Sequence, residues 1–286
     1  MKGFINILKS SGYTSSDVVV KVRKTLSKCL GEKVKVGHLG TLDPYGTGVL
    51  PIAVGSATKM FDYLIGGKKT YLAGISFGKE TDTLDSYGTV IKTDNKELSI
   101  NDVNRAISSF IGKIDQMPPQ YSAKKINGEK AYDIARRGEF VELKTRNVEI
   151  FDISATGSNN RFNIKVDCSG GTYIRSLVRD IAYYLNSVAY MSYIIRTNSV
   201  GFKIENSVTL DEFVKNPTEY VIPLEDVLFE KFPVFELPES KKTIALNGVK
   251  IKLNGMPEGD FVLTSNKQIV GMATSQDGEL IIKNRL

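Results

Sequence analysis

The chain has 286 residues, enough for one large or two modest domains with a buried core. Hydrophobic residues make up 41% and charged residues 24%, with 13 Tyr, 13 Phe and no Trp, which excludes wholesale disorder. The net charge of +6 suits a polyanionic partner such as nucleic acid, whereas two Cys and one His exclude a disulfide framework and the usual zinc spacings.

In chain order, Gly3 to Leu8 reads as a short strand. Ser15 or Ser16 can cap the following helix, which carries Val18, Val22 and Leu26 at helical spacing and ends near Gly31. Gly37 to Pro51 is too rich in glycine and proline for either regular element and reads as a loop. Strands are expected over 69–78 and 88–92, then a helix over 99–110 with Val103, Ala106, Ile107 and Phe110 on one face. A second irregular loop (117–125) and a short basic helix (130–137) come next. Strands over 141–154 and 161–168 precede a helix over 172–185, launched by Ser169-Gly170-Gly171 and carrying Ile174, Leu177, Ile181 and Leu185 inward. A strand over 192–200 and a helix over 210–215 complete the body.

After Ile222-Pro223-Leu224 the texture changes. Phe232-Pro233 and Leu237-Pro238 read as linker, and short alternating runs (249–253, 260–263, 269–272, 280–282) separated by turns describe a small β-rich appendage. Helices scattered among many strands, without strict βαβ alternation, point to an α+β fold with a mixed or antiparallel sheet. The expected domains are 1–230 and 231–286. No apolar run reaches the roughly 20 residues of a membrane span. The basic, apolar start is interrupted by Asn6 and Lys9 and lacks a cleavage site; with so few cysteines, a cytoplasmic location is expected.

The most informative segment is Gly37-His38-Leu39-Gly40-Thr41-Leu42-Asp43-Pro44-Tyr45-Gly46-Thr47-Gly48-Val49-Leu50-Pro51. Its glycines and prolines describe backbone with unusual dihedrals that approaches something closely. Asp43 sits at its middle, restricted to extended geometry by Pro44. On pattern alone, an Asp-Pro in such a loop is usually a turn residue. The segment is neither a Walker loop nor a dinucleotide loop.

This segment closely resembles the catalytic motif of the TruB family of tRNA pseudouridine synthases, Gly-His-x-Gly-x-Leu-Asp-Pro-x-Ala/Gly-x-Gly-x-Leu-Pro. The resemblance continues in order through Lys69-Thr70-Tyr71, Thr81-Asp82-Thr83-Leu84-Asp85, Pro118-Pro119-Gln120-Tyr121-Ser122-Ala123, Cys168-Ser169-Gly170-Gly171-Thr172-Tyr173-Ile174-Arg175, and Arg196-Thr197 with Phe202. Two departures are visible: the family's Lys-Pro near the N-terminus is Lys9-Ser10, and the glycine after Arg-Thr is Val200.

The resemblance implies a pseudouridine synthase catalytic domain followed by a small PUA-like RNA-binding domain. The reaction detaches uracil from C1′ of its ribose, rotates it and rejoins it through C5, with no cofactor and no metal required. Asp43 is the implied nucleophile, Arg175 the guanidinium that keeps it ionised in a dry pocket, and Tyr71 a base-stacking tyrosine that shuttles a proton. Tyr173 and Ile194 are implied uracil contacts. His38 is implied to support a base flipped out of folded RNA or to fill its place, by stacking. Basic residues Lys124, Lys125, Lys130, Arg136 and Arg137 are expected at RNA phosphates, as are Lys241, Lys242, Lys250 and Lys252 of the appendage. The implied substrate is uridine 55 in the T-loop of tRNA (the T-arm being the partner), and the enzyme is expected to act as a monomer. The rivals are a guide-RNA-dependent relative, a non-catalytic RNA-binding or tRNA-folding module of the same fold, and a glycoside hydrolase. The last lacks a second carboxylate tied to the loop.

Overall fold

The computed structural model describes residues 1–122, 125–126, 128–139, 141–252 and 258–286. The main sheet runs, in spatial order, Val208–Thr209, Gly3–Lys9, Thr47–Val54, Ala189–Ser199, Lys69–Phe77, Arg161–Cys168, Arg146–Ser158 and Gly112–Gln116. The 3–9 strand pairs in parallel with 208–209, and 47–54 with 189–199; the other neighbours along this order are antiparallel. This is the α+β fold with a mixed sheet that the scattered helices predict.

Because side chains alternate across a strand, the sheet buries different sets on its two faces. In one half, Ile5, Ile7, Leu50, Ile52 and Val54 pack against Val18, Val22 and Leu26 of the helix Ser15–Leu30 and Phe213 of the helix Leu210–Lys215. In the other half, Tyr71, Ala73, Ile75, Phe162, Ile164, Val166 and Ile194 pack against the helices Ile100–Ser108 and Ile174–Tyr184. The sheet's remaining buried face holds Phe4, Val49 and Ala53 against the helix Leu224–Lys231 and against Val262 and Met272 of the C-terminal segment.

That C-terminal segment is a second, five-stranded sheet in the order Val234–Glu236, Gly259–Ser265, Gln268–Gln276, Glu279–Arg285, Ile251–Lys252. The supposed linker is therefore structured: 234–236 is an edge strand parallel to 259–265, and Phe232 packs edge-on against Tyr63 of the main body. The helix Glu239–Leu246 was not legible as such, since its start is set by Pro238 and not by a polar cap. Among the described residues no helix is long and apolar enough to cross a membrane.

Three local readings are corrected. The first helix is capped by Thr14, whose hydroxyl accepts the Asp17 N–H while Asp17 takes the Thr14 N–H; Ser15 is buried and bonded elsewhere. Half of the expected loop 37–51 is strand, from Thr47 through Pro51 to Val54, with Val36–His38 pairing beside it. Pro51 fits because a strand residue's N and C=O point the same way. Its carbonyl accepts the Leu39 N–H at 2.9 Å, so its missing donor faces the loop and no bond to the 3–9 strand is lost. The strand expected over 141–154 begins at Arg146, because Val141 and Leu143 pack with Ile134 in irregular chain. Val200, where the family pattern has glycine, adopts φ +57° in a tight turn with Gly201; packing of its side chain in the core holds a conformation that β-branched residues resist.

Candidate active site

Asp43 lies in the irregular stretch between the strands 36–38 and 47–54, and buried side chains from several elements grip that stretch by its backbone. Ser15 Oγ donates to the Leu42 carbonyl at 3.0 Å and accepts the Leu42 N–H at 2.9 Å. Lys9 Nζ donates to the carbonyls of Pro44, Ser10 and Tyr13 at 2.9, 3.0 and 2.6 Å. Arg196, fully buried, donates to the carbonyls of Val49, Thr41 and Gly40 at 2.7, 3.2 and 3.1 Å. Gly48 makes this approach possible: its φ is +107°, and a Cβ there would lie 2.2 Å from the Arg196 carbonyl oxygen.

So held, Asp43 faces Arg175. The guanidinium forks onto it, Nε 2.9 Å from Oδ2 and Nη2 3.1 Å from Oδ1, and also donates to the carbonyls of Thr83 and Tyr121 at 3.0 Å. Such a bidentate pair fixes orientation as well as charge. Arg175 Nη1 is 3.6 Å from Asp85 Oδ2, so one guanidinium bridges two carboxylates. The Arg175 side chain is 8% exposed and that of Asp43 36%, so the cation is sealed and the anion open to one side. The dry pocket expected from the chemistry is thus not closed by the protein alone.

Arg175 stands in the first turn of its helix, and the start of that helix is anchored. Gln116, buried, donates to the Tyr173 carbonyl at 3.1 Å and accepts the Tyr173 N–H at 2.8 Å. Ser176 Oγ donates to the Met117 carbonyl at 2.8 Å. Asp85 is fixed in turn by the Thr83 hydroxyl at 2.7 Å and the Tyr87 N–H at 3.0 Å.

Tyr71 is buried in the same core as Leu42 and Ile194, opposite Arg196 in strand register. Burial raises its phenol above the ordinary value, with the nearby Arg196 charge acting in the other direction. Ile194 also touches the loop, since a Cβ on Gly46 would lie 3.1 Å from its Cγ2. His38 Nδ1 accepts the Gly40 N–H at 3.3 Å, which assigns the proton to Nε2. Burial and then the Arg196 charge hold its pKa below the ordinary value, so the ring is neutral at pH 7. Lys9 and Lys69 are pushed down to about 8, in both cases mainly by burial. Lys69 Nζ donates to the Ile65 and Gly67 carbonyls at 2.8 and 3.2 Å.

Asp43, Arg175, Tyr71 and Ile194 are thus brought together, with Tyr173 and His38 on the flanking backbone. The basic stretch is different. Lys124 and the side chains of Lys125, Lys130 and Arg136 lie outside the described residues. Arg137 is taken up by Glu129 and by Glu139, the latter at 2.7 Å. In the C-terminal sheet Lys250 and Lys252 share Glu279 at 3.0 and 3.4 Å, and Lys242 faces Glu239 at 3.5 Å. Sequence reasoning gave Ser15 only a helix-capping role and assigned none to Lys9, Asp85, Gln116 or Arg196. Lys9, Ser15, Gln116 and Arg196 all bond backbone carbonyls or N–H groups here, targets that no side-chain pattern marks.

The fold is that of the Cbf5 and TruB class of pseudouridine synthases. A Cbf5-Nop10-Gar1 complex matches at TM-score 0.70 and 26% identity, over 96% of this chain and 78% of that one. An H/ACA RNP bound to a substrate RNA containing 2′-deoxyuridine matches at TM-score 0.72 and 21% identity, over 99% and 84%. The tRNA pseudouridine synthase B of Clostridium kluyveri is 42% identical across 88% of this chain and 86% of its own length. That of Caldanaerobacter subterraneus is 40% identical across 99% and 98%. Residues 27–174 match the N-terminal domain of TruB family pseudouridylate synthases. The chain belongs to the TruB family.

Proposed function

We propose that this protein is a tRNA pseudouridine synthase that isomerises uridine 55 in the T-loop of tRNA, acting as a cytoplasmic monomer. The observation that carries the reading is the Arg175 fork on a half-open Asp43 carboxylate. The reaction breaks the C1′–N1 bond, forms a C1′–C5 bond, and moves a proton from C5 to N1, so atoms balance without a co-reactant. A carboxylate can open it by attack at C1′ or by taking the C2′ proton, and both routes need Asp43 ionised. A guanidinium that cannot deprotonate supplies that charge balance.

The pocket's open side fits a substrate that closes it. A uridine flipped from the RNA stack would cover the Asp43 carboxylate and exclude water as it enters. Tyr71, Tyr173 and Ile194 would bear on the uracil, and neutral His38, with an Nε2 donor, would take the place that the base leaves. Residues 1–230 form the catalytic domain in this reading. Residues 231–286 form a PUA-like RNA-binding domain, supported by their separate sheet. Phosphate contacts would come from Lys124, Lys125, Lys130, Arg136 and Arg137 and from the lysines of the second sheet, so affinity should fall as salt rises.

Base-resolution mapping of pseudouridine tests the assignment. Unmodified tRNA transcripts incubated with the purified chain should gain pseudouridine at position 55, and bulk tRNA from cells without the gene should lack it there. An unchanged pattern in both would overturn the proposal.

A further inference from the structure

Two tyrosines at the mouth of the site take no part in the machinery described above. Tyr45 is two residues beyond Asp43, and Tyr87 two residues beyond Asp85, so each follows one of the carboxylates that flank Arg175. Their rings stack face to face, with centroids 3.4 Å apart and planes 10° from parallel. Yet they remain 50% and 59% exposed, which is unusual for large aromatic residues in mutual contact. In the family motifs quoted above, position 45 is a variable one and position 87 lies beyond the Thr-Asp-Thr-x-Asp turn, so the resemblance assigns neither residue.

The backbone under each ring is fixed. The Pro44 carbonyl, next to Tyr45, takes bonds from the Gly12 N–H and from Lys9, and the Gly46 N–H on the other side donates to the Asp43 carbonyl at 3.0 Å. The Tyr87 N–H donates to Asp85 Oδ1 at 3.0 Å. Rings mounted in this way present apolar faces at little further ordering cost. They also join the catalytic loop to the Asp85 turn, close in sequence to the half-open Asp43 carboxylate.

Everting one base from a folded loop strips its neighbours of a stacking partner. A solvent-exposed aromatic face beside the pocket can replace that partner, because every nucleobase presents a π surface. We propose that the Tyr45–Tyr87 stack is a second RNA-binding element, a platform on which an unpaired base flanking the target nucleotide stacks. This rests on the isomerase reading, since it takes the entering ligand to be an RNA loop.

The test is binding of unmodified tRNA transcript to the full chain, measured as a dissociation constant, with KM and kcat alongside. Tyr45→Ala and Tyr87→Ala should each weaken binding roughly 5- to 100-fold, the range expected for one lost base–aromatic stack. The loss should fall on the dissociation constant and KM more than on kcat. Tyr45→Phe and Tyr87→Phe should restore binding to within about twofold, because the ring face and not the hydroxyl makes the contact. The slope of affinity against salt should stay as in the wild type, since no charge is removed. Alanine variants that bind like the wild type would overturn the platform. So would alanine variants that lose affinity only together with a lowered melting temperature, which would make the pair a structural clamp. A wild-type chain that binds tRNA yet makes no pseudouridine would sink the isomerase reading alone, because the stacking comparison is read from binding.

Discussion

Cations occupy two contrasting settings in this molecule. Under the Asp43 loop, Lys9, Lys69 and Arg196 are buried and donate to backbone carbonyls. In the C-terminal sheet, Lys250 and Lys252 are exposed and share one glutamate, and Arg137 in the main body is likewise exposed between two. Buried donors to carbonyls set geometry, because leaving such a group unpaired costs the full desolvation of that group. Exposed pairs hold little free energy and dissolve into salt, which leaves their cations free to exchange a carboxylate for a phosphate. The same residue types therefore supply rigidity in one region and exposed, exchangeable charge in the other.

The sharpest way to break this contrast is Arg196→Met, which strips donors from two loop carbonyls, Gly40 and Thr41, and from that of Val49 in the adjoining strand. Denaturant unfolding should show a loss of about 3 kcal/mol or more, with isomerisation falling alongside. Arg196→Lys should recover only part of it, since a lysine cannot reproduce the planar fork. Stability within about 1 kcal/mol of wild type would show that the buried cation does not hold the loop.

A smaller effect follows from Lys69. In the folded chain burial lowers its pKa from 10.5 to about 8. Between those values the unfolded chain binds the proton that the folded chain has released, so stability rises with pH in that window. Compared with Lys69→Met, the wild type should gain on the order of 1–3 kcal/mol between pH 8 and 10.5. A difference between the two that stays flat across this range would contradict the buried, charged lysine. The smallest effect belongs to the other region: Lys250→Ala with Lys252→Ala should change unfolding free energy by no more than about 0.5 kcal/mol. Their contribution to tRNA binding should shrink as salt rises.

The legibility of the molecule from its sequence divides along the same line. Asp43, Tyr71 and Arg175 were recognisable because their motifs name side chains, and the mixed α+β sheet followed from helices scattered among strands. The anchors were not. Arg196 reaches carbonyls about 150 residues away, and every residue has a carbonyl, so no pattern marks its targets. Ser15 looked like a helix cap because caps and buried loop anchors use the same hydroxyl chemistry; the neighbouring Thr14 took the cap. Pro51 suggested a loop because the direction of its missing N–H is a tertiary fact. The 232–238 linker reading failed for a related reason. Its prolines flank an edge strand that becomes ordered only by pairing with a strand about 28 residues further on.

The central claim is that a single carboxylate, oriented by Arg175, releases and rejoins the uracil. Asp43→Asn preserves shape and removes the negative charge, so single-turnover pseudouridine formation on saturating tRNA tests it most directly. Isomerisation should fall by at least about a thousandfold while tRNA affinity stays within a few-fold of wild type. Turnover by Asp43→Asn at a rate close to that of the unaltered chain would contradict it.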